Sequence, residues 1–119
     1  VSHTMSTRAT IHFCNPESQK PTAIIYRHGD GYPDGLGKDL KAFIAEVRAN
    51  VPDNRFNDPA YLAAKWVVWD AANMVKYAHG TPHPLNFLSV GITDRDPDDI
   101  EWRYKVVCDG KPTITRKKV

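Results

Sequence analysis

Cysteine is scarce in this chain, which has only Cys14 and Cys108 among its 119 residues. Small secreted domains that depend on disulfides have a denser, evenly paired set of cysteines. Both residues lie inside runs of β-strand character, so we expect free, buried thiols and a reducing compartment.

Long apolar runs are also missing. No uninterrupted apolar segment reaches the length of a membrane span, and no charged segment followed by an apolar one opens the sequence. We therefore expect a cytoplasmic protein without a membrane partner. Residues 1–4 read VSHT before Met5 and are interpreted as an expression-tag remnant, because Met-Ser-Thr is a natural start.

Net charge is low, at +2 near neutral pH. It depends on Arg116, Lys117 and Lys118, since removing these three from the 16 basic residues leaves 13 against 14 acidic residues. Nucleic-acid-binding domains have a basic face, so this balance disfavours a nucleic-acid partner. We predict one domain over residues 5–116, long enough for its own core, followed by a basic tail at 117–119.

Two segments near the start predict a β-hairpin. Ala9, Ile11 and Phe13 alternate with polar residues, which is the period of a half-buried strand. Turn-forming residues then fill positions 15–21, and an extended pattern resumes over 22–28.

Two helices are predicted next. Apolar residues at helical spacing indicate helix one over 36–50, and the Asp-Pro pair at 58–59 gives an N-cap and a first-turn proline for helix two over 59–78. Phe43 and Trp66 are expected in the core. Helix two is apolar nearly all round, so we expect it to be buried or to associate with another copy. Its narrow polar stripe consists of Lys65, Asp70, Asn73 and Lys76.

The second half of the chain predicts further strands. Segments 86–93 and 102–108 are joined by an acidic turn at 94–99, and a short strand at 112–115 follows the hairpin signal at 109–110. The order ββααβββ predicts an α+β fold, with an antiparallel sheet of four to five strands and two helices packed on one face.

The segment that follows the second strand combines charge with glycine. Residues 29–37 read GDGYPDGLG, so we expect an irregular loop there. The backbone N–H groups of such a loop, beside the start of helix one, are suited to an anion. We hypothesise a binding site made by Arg27, His28, Asp30, Tyr32 and Asp34.

Several interpretations of this loop remain open. His28 and Asp30 form a structural bond with each other in one of them. In another they serve a small hydrolase or phosphoryl-transfer enzyme, with His28 as base or nucleophile and Asp30 as its orienting carboxylate. We favour a non-enzymatic binding module without a cofactor, whose ligand is an anionic small molecule or a protein segment. A homo-oligomeric structural protein that associates through helix 59–78 is a further alternative.

Other reactive residues lack the spacing of a site. His79 and His83 are separated by glycine and proline, so they do not share a helical face, and we predict no metal site. The acidic run 94–99 is interpreted as a solvated turn. Ser89 and Cys108 lie in strand-like runs without a glycine elbow or a neighbouring base.

Residues 5–11 read MSTRATI and residues 25–33 read IYRHGDGYP. This pattern resembles small uncharacterised bacterial and phage proteins that open with MSTRxTI and contain YRHxDGYP, often with tryptophan where Gly29 stands here. The resemblance implies no activity. The triplet 27–29 alone is similar to the Arg-His-Gly motif of histidine phosphatases, but the chain lacks their βαβ alternation.

Overall fold

The computed structural model describes residues 7–50, 58–76, 83, 85 and 89–119. The predicted α+β fold and the order ββααβββ are confirmed. Four predictions lie outside the described residues: the tag remnant at 1–4, the role of His79, the end of helix two at 78 and the start of the third strand at 86–88. The elements are β1 (Ala9–Cys14), β2 (Pro21–Arg27), a π-helical turn (Pro33–Gly37), α1 (Lys38–Asn50), α2 (Pro59–Val75), β3 (Val90–Thr93), β4 (Trp102–Val107) and β5 (Thr113–Lys118).

The five strands form one sheet in the order β3-β2-β1-β4-β5. Three of the neighbouring pairs are antiparallel, but β1 and β4 are parallel. The sheet is therefore mixed and not wholly antiparallel as the sequence suggested. The reason is that β4 pairs with β1 and not with β3, the strand that precedes it in the chain.

Residues 94–101, called the crossing segment below, connect β3 to β4. Because β2 and β1 lie between those two strands in the sheet, this segment has to cross both of them. It does so on the sheet face opposite the helices, where Asp96 bonds the Thr10 and His12 side chains of β1. The predicted acidic turn is thus a crossover connection, and Ile100 within it is buried.

The core lies between the sheet and both helices. In β1, Ala9, Ile11 and Phe13 are fully buried towards the helices, as the alternation predicted. Phe43 of α1 and Trp66 of α2 are buried as expected, and their rings meet edge to face with centroids 5.3 Å apart. One hydrophobic cluster includes residues of both helices and the sheet, so the helices share one face.

The helix boundaries follow local sequence signals in part. The carboxylate of Asp58 accepts hydrogen bonds from the N–H groups of Ala60 and Tyr61, which confirms the predicted N-cap of α2. The expectation of an irregular segment up to position 37 is wrong in its second half. There Pro33 opens a π-helical turn that continues into α1, and the N–H of Leu36 bonds the carbonyl of Asp30 at 2.8 Å.

The sequence also made predictions about the two cysteines and the basic tail. Cys14 and Cys108 are both free and buried, as predicted. Lys117 and Lys118, which were assigned to a basic tail, belong instead to β5, an edge strand paired with β4. Among the described residues, no helix has the length and apolar character needed to cross a bilayer.

Candidate functional site

The predicted binding loop is fixed to the sheet by backbone contacts. The N–H of Gly31 donates to the carbonyl of Thr7 at 2.9 Å, and the buried Tyr104 hydroxyl donates to the carbonyl of Gly31 at 2.7 Å. Burial raises the pKa of Tyr104 to about 12, so this hydroxyl remains a donor at physiological pH. The loop is therefore held against the start of β1 and against β4.

Arg27 does not face solvent with the rest of the loop. It is 4% exposed, and its guanidinium is 3.0 Å from the Asp39 carboxylate of α1 and 3.7 Å from the Asp70 carboxylate of α2. A guanidinium enclosed by two carboxylates is an internal ion network. Arg27 thus links β2 to both helices beneath the loop.

Asp70 is the most deeply buried acid of this network. It was assigned to the narrow polar stripe of helix two, but it has no solvent exposure. Burial raises the pKa of Asp70, while the nearby Arg27 acts in the opposite direction. Arg27, 3.7 Å away, is its main compensation, and a side-chain hydrogen bond with Ser89 makes a smaller contribution that also lowers the pKa.

His28 and Asp30 bond different partners. His28 Nδ1 accepts from Arg8 Nε at 3.5 Å and lies 3.2 Å from the Tyr26 hydroxyl. Asp30 has a positive φ of 54° and accepts from the Tyr32 hydroxyl at 3.2 Å. Neither the predicted structural bond between His28 and Asp30 nor a base with its orienting carboxylate is formed.

The other two predicted binding residues lie at the surface. Tyr32 is exposed, and the neighbouring Asp30 carboxylate raises the pKa of its phenol. Asp34 is exposed in the first turn of the π-helical segment. Four of the five predicted binding residues are therefore exposed at the loop surface, whereas Arg27 is buried.

Two glycines of this loop are required by close packing. A Cβ on Gly31 would lie 2.7 Å from Ala9 Cβ and 2.8 Å from the carbonyl oxygen of Thr7, and a Cβ on Gly35 would overlap the backbone of Asp30. A Cβ on Gly29, in contrast, would lie in open space. The loop sequence thus encodes a tight local geometry at two positions.

We expect Gly31→Ala to lower the free energy of unfolding by about 1–3 kcal/mol, because the backbone around it has to shift. Gly29→Ala is the matched control and should change it by less than about 0.5 kcal/mol. Urea denaturation of both variants measures the difference. Equal stabilities would show that the loop is not packed against β1 as described.

A polar cluster that the sequence did not reveal lies on the opposite face of the sheet. Asp96 of the crossing segment accepts from Thr10 Oγ1 at 2.6 Å and from Arg103 Nε at 2.6 Å, and it lies 2.7 Å from His12 Nε2. Its side chain is only 16% exposed. The description of residues 94–99 as a solvated turn is therefore wrong at Asp96, which anchors the crossover to β1 and β4.

Asp96 should make the stability of the fold depend on pH in the acidic range. Burial acts to raise its pKa, but hydrogen bonds from His12, Thr10 and Arg103 outweigh burial and hold the pKa below its ordinary value of 3.8. A lowered carboxyl pKa stabilises the fold above 3.8, and this contribution is lost as the pH falls through the lower folded-state value.

We expect Asp96→Asn to lower the free energy of unfolding by about 1–3 kcal/mol at neutral pH, with a smaller difference from wild type in acidic buffer below the folded-state pKa of Asp96. Asp94→Asn, in the same segment but with an exposed side chain, is the control and should have little effect. Urea denaturation at both pH values provides the measurement. A difference that does not depend on pH would contradict the role given to the carboxylate.

An apolar groove separates the outer faces of α1 and α2. Its volume is about 770 Å³, and most of its wall is apolar. Trp69 stacks on Trp66 with centroids 5.4 Å apart and closes the inner side of the groove. The lining residues are Phe43, Glu46, Val47 and Asn50 of α1, with Tyr61, Ala64, Lys65, Val68, Trp69 and Ala72 of α2.

The remaining candidates for chemistry do not form a site. Burial raises the pKa of Cys108 to about 12, which keeps its thiol protonated. His83 is exposed, and its Nδ1 accepts from the N–H of Leu85. Within the described ranges, no three potential metal ligands lie together.

No protein-family model matches this chain, and comparison with curated proteins and with solved structures gave no match either.

Proposed function

We propose that this domain is a non-enzymatic interaction module that binds an apolar protein surface in the groove between α1 and α2. The supporting observation is the exposure of large apolar side chains along the groove: Val68 is 70% exposed and Tyr61 is 60% exposed. A contiguous apolar patch with polar residues at its rim is typical of a protein-interaction site.

The contacts of the predicted catalytic pair support a binding role over catalysis. A general base needs a partner that orients it and a cleft that admits substrate. His28 has Arg8 and Tyr26 as its neighbours, while Asp30 bonds Tyr32. The cation that would complete the constellation, Arg27, is enclosed in the core.

A photoreactive phenylalanine analogue at position 68 tests this proposal in the cells that make the protein. We expect irradiation to yield a discrete cross-linked product whose partner is identified by mass spectrometry. The analogue at position 92 is the control, because Ile92 is also highly exposed but lies on β3 outside the groove. No product at 68, or the same products at both positions, would contradict the proposal.

One observation favours the loop surface as a second candidate, for an anionic ligand. The Arg8 guanidinium lies beside the exposed His28, whose Nδ1 accepts a hydrogen bond and leaves Nε2 to carry the proton of a neutral ring. Arg8 also pairs with Asp99 at 3.1 Å, so an oxyanion would bind at the N–H groups of Arg8 and His28 in competition with that carboxylate.

Thermal unfolding with inorganic phosphate and with nucleotides tests this second candidate. A ligand that binds only the native state raises the midpoint temperature. The rise should disappear in His28→Ala and persist in His83→Ala, which removes an exposed histidine elsewhere. No rise in the wild-type protein would contradict anion binding at the loop.

A further inference from the structure

We infer that the occupant of the α1–α2 groove is a second copy of this chain, related to the first by a two-fold axis that runs along the groove. The inference rests on the proposed function and names its partner. Two charged residues line the groove, Glu46 on α1 and Lys65 on α2.

These two charges lie on opposite walls at a similar height. The Phe43 ring of α1 contacts the rings of Trp66 and Trp69 of α2, with centroids 5.3 and 6.0 Å apart. The groove includes both Asn50 at the end of α1 and Tyr61 in the first turn of α2, while Phe43 contacts Trp69, so the two helices run in opposite directions along it. Glu46 comes about one turn after Phe43 and Lys65 about one turn before Trp69, so both lie towards the same end of the groove. One acid and one base therefore line opposite walls there, and the Lys65 ammonium lies 5.9 Å from the centroid of the Tyr61 ring.

A two-fold axis along the groove places α1 of each copy over α2 of the other. Each Glu46 then meets Lys65 of the second copy, so the dimer contains this ion pair twice. An axis across the groove would place α1 over α1 and bring the two Glu46 carboxylates together. The signs of the rim charges therefore select the first arrangement.

A second pair of polar residues fits the same arrangement. Asn50 lies one further turn along α1 from Glu46, and Tyr61 lies one turn before Lys65 on α2; both line the groove. The Asn50 amide nitrogen donates to the Glu46 carbonyl of its own helix at 2.8 Å. With α1 over α2, the Asn50 amide oxygen is placed to accept from the Tyr61 hydroxyl of the second copy, which suits the rim of an interface.

The walls also permit close approach of helices. Ala64 and Ala72 line the groove on α2. Packed helices approach to about 8–10 Å depending on the side chains at the contact, and alanine favours the shorter distances. Val68 and Trp69 supply the apolar centre that such an interface buries.

Sedimentation of the purified chain over a wide concentration range tests the inference. We expect a monomer–dimer equilibrium in the wild-type protein. Val68→Glu places a charge at the centre of the interface and should raise the dissociation constant at least about 100-fold. Ile92→Glu changes an equally exposed apolar residue outside the groove and should leave dimerisation unchanged.

Charge reversal tests the arrangement itself. Glu46→Lys and Lys65→Glu should each raise the dissociation constant about tenfold, because each creates two like-charge contacts. The double variant exchanges the signs and should return to within about threefold of wild type, which also shows that the variants fold. Lys41→Glu reverses an exposed charge on α1 that does not line the groove, and it should have no effect.

Three results would overturn the inference: a wild-type protein that stays monomeric at the highest concentration, a dimer that persists in Val68→Glu, or single reversals that the double variant does not rescue. A monomeric protein that still cross-links another protein at position 68 would leave the proposed function intact. Absence of both self-association and cross-linking would reject both.

Discussion

Replacing Phe43 with alanine is expected to lower the free energy of unfolding by about 3–5 kcal/mol. Phe43 is buried between α1 and α2, where its ring packs edge to face against Trp66 and Trp69. The variant loses the transfer free energy of the ring and these aromatic contacts, and it leaves a cavity between the helices.

Urea denaturation measures this loss at a protein concentration at which the wild type and the variant are both monomeric, because Phe43 also lines the groove. Ile92→Ala is the matched control, because Ile92 is 82% exposed and its truncation should cost less than about 0.5 kcal/mol. A loss below about 1 kcal/mol for Phe43→Ala would place Phe43 outside the core and invalidate the described face of α1.

Arg27→Ala is expected to destabilise the fold by a similar amount, about 3–5 kcal/mol. The guanidinium is buried between Asp39 and Asp70, so its removal leaves two acids without their cation. The exposed ion pair of Arg95 with Asp94 is the control, and Arg95→Ala should cost less than about 1 kcal/mol. Comparable losses in the two variants would contradict an internal network.

The free energy of unfolding of Arg27→Ala should also depend on pH. Burial raises the folded-state pKa of Asp70 above its ordinary value of 3.8, so the native state binds this proton more tightly than the unfolded state. Stability then falls as the pH rises from that ordinary value through the folded-state pKa. Arg27 acts to lower this pKa, so its removal should extend the decline to higher pH.

We therefore expect the loss in Arg27→Ala to be larger in neutral than in mildly acidic buffer. Adding Asp70→Asn should reduce this pH dependence, because the amide does not titrate. Unfolding of the single and double variants at both pH values gives the coupling between the two residues. A loss that is the same at both pH values and in both backgrounds would show that Asp70 does not depend on Arg27.

These results bear on the loop that the sequence singled out. Gly31 and Gly35 are accounted for by packing and Arg27 by the ion network, whereas four loop residues remain at the surface without such an explanation: His28, Asp30, Tyr32 and Asp34. Binding by these four residues stays a prediction. The groove between the helices is the larger apolar surface and carries the proposed function.

Local patterns in the sequence determined most of the secondary structure. The alternation in β1, the apolar spacing in α1 and the Asp58 cap of α2 each depend on residues close together in the chain, and the structure contains all three elements. The prediction that β1 is half-buried is wrong, because the crossing segment covers its other face and Thr10 is fully buried. The α+β class follows from the order of these elements. The apolar excess of α2 was also visible in the sequence, and its exposed part became one wall of the groove.

Only the tertiary structure decided which distant segments meet. The parallel pairing of β1 with β4, the inward turn of Arg27 towards Asp70 and the anchoring of Asp96 on β1 join residues 43 to 93 positions apart. A sequence pattern shows which residues share a face of one element, but it does not show which element covers that face. The burial of Asp70 and Asp96 was therefore not predicted, because their compensating partners come from other strands and helices.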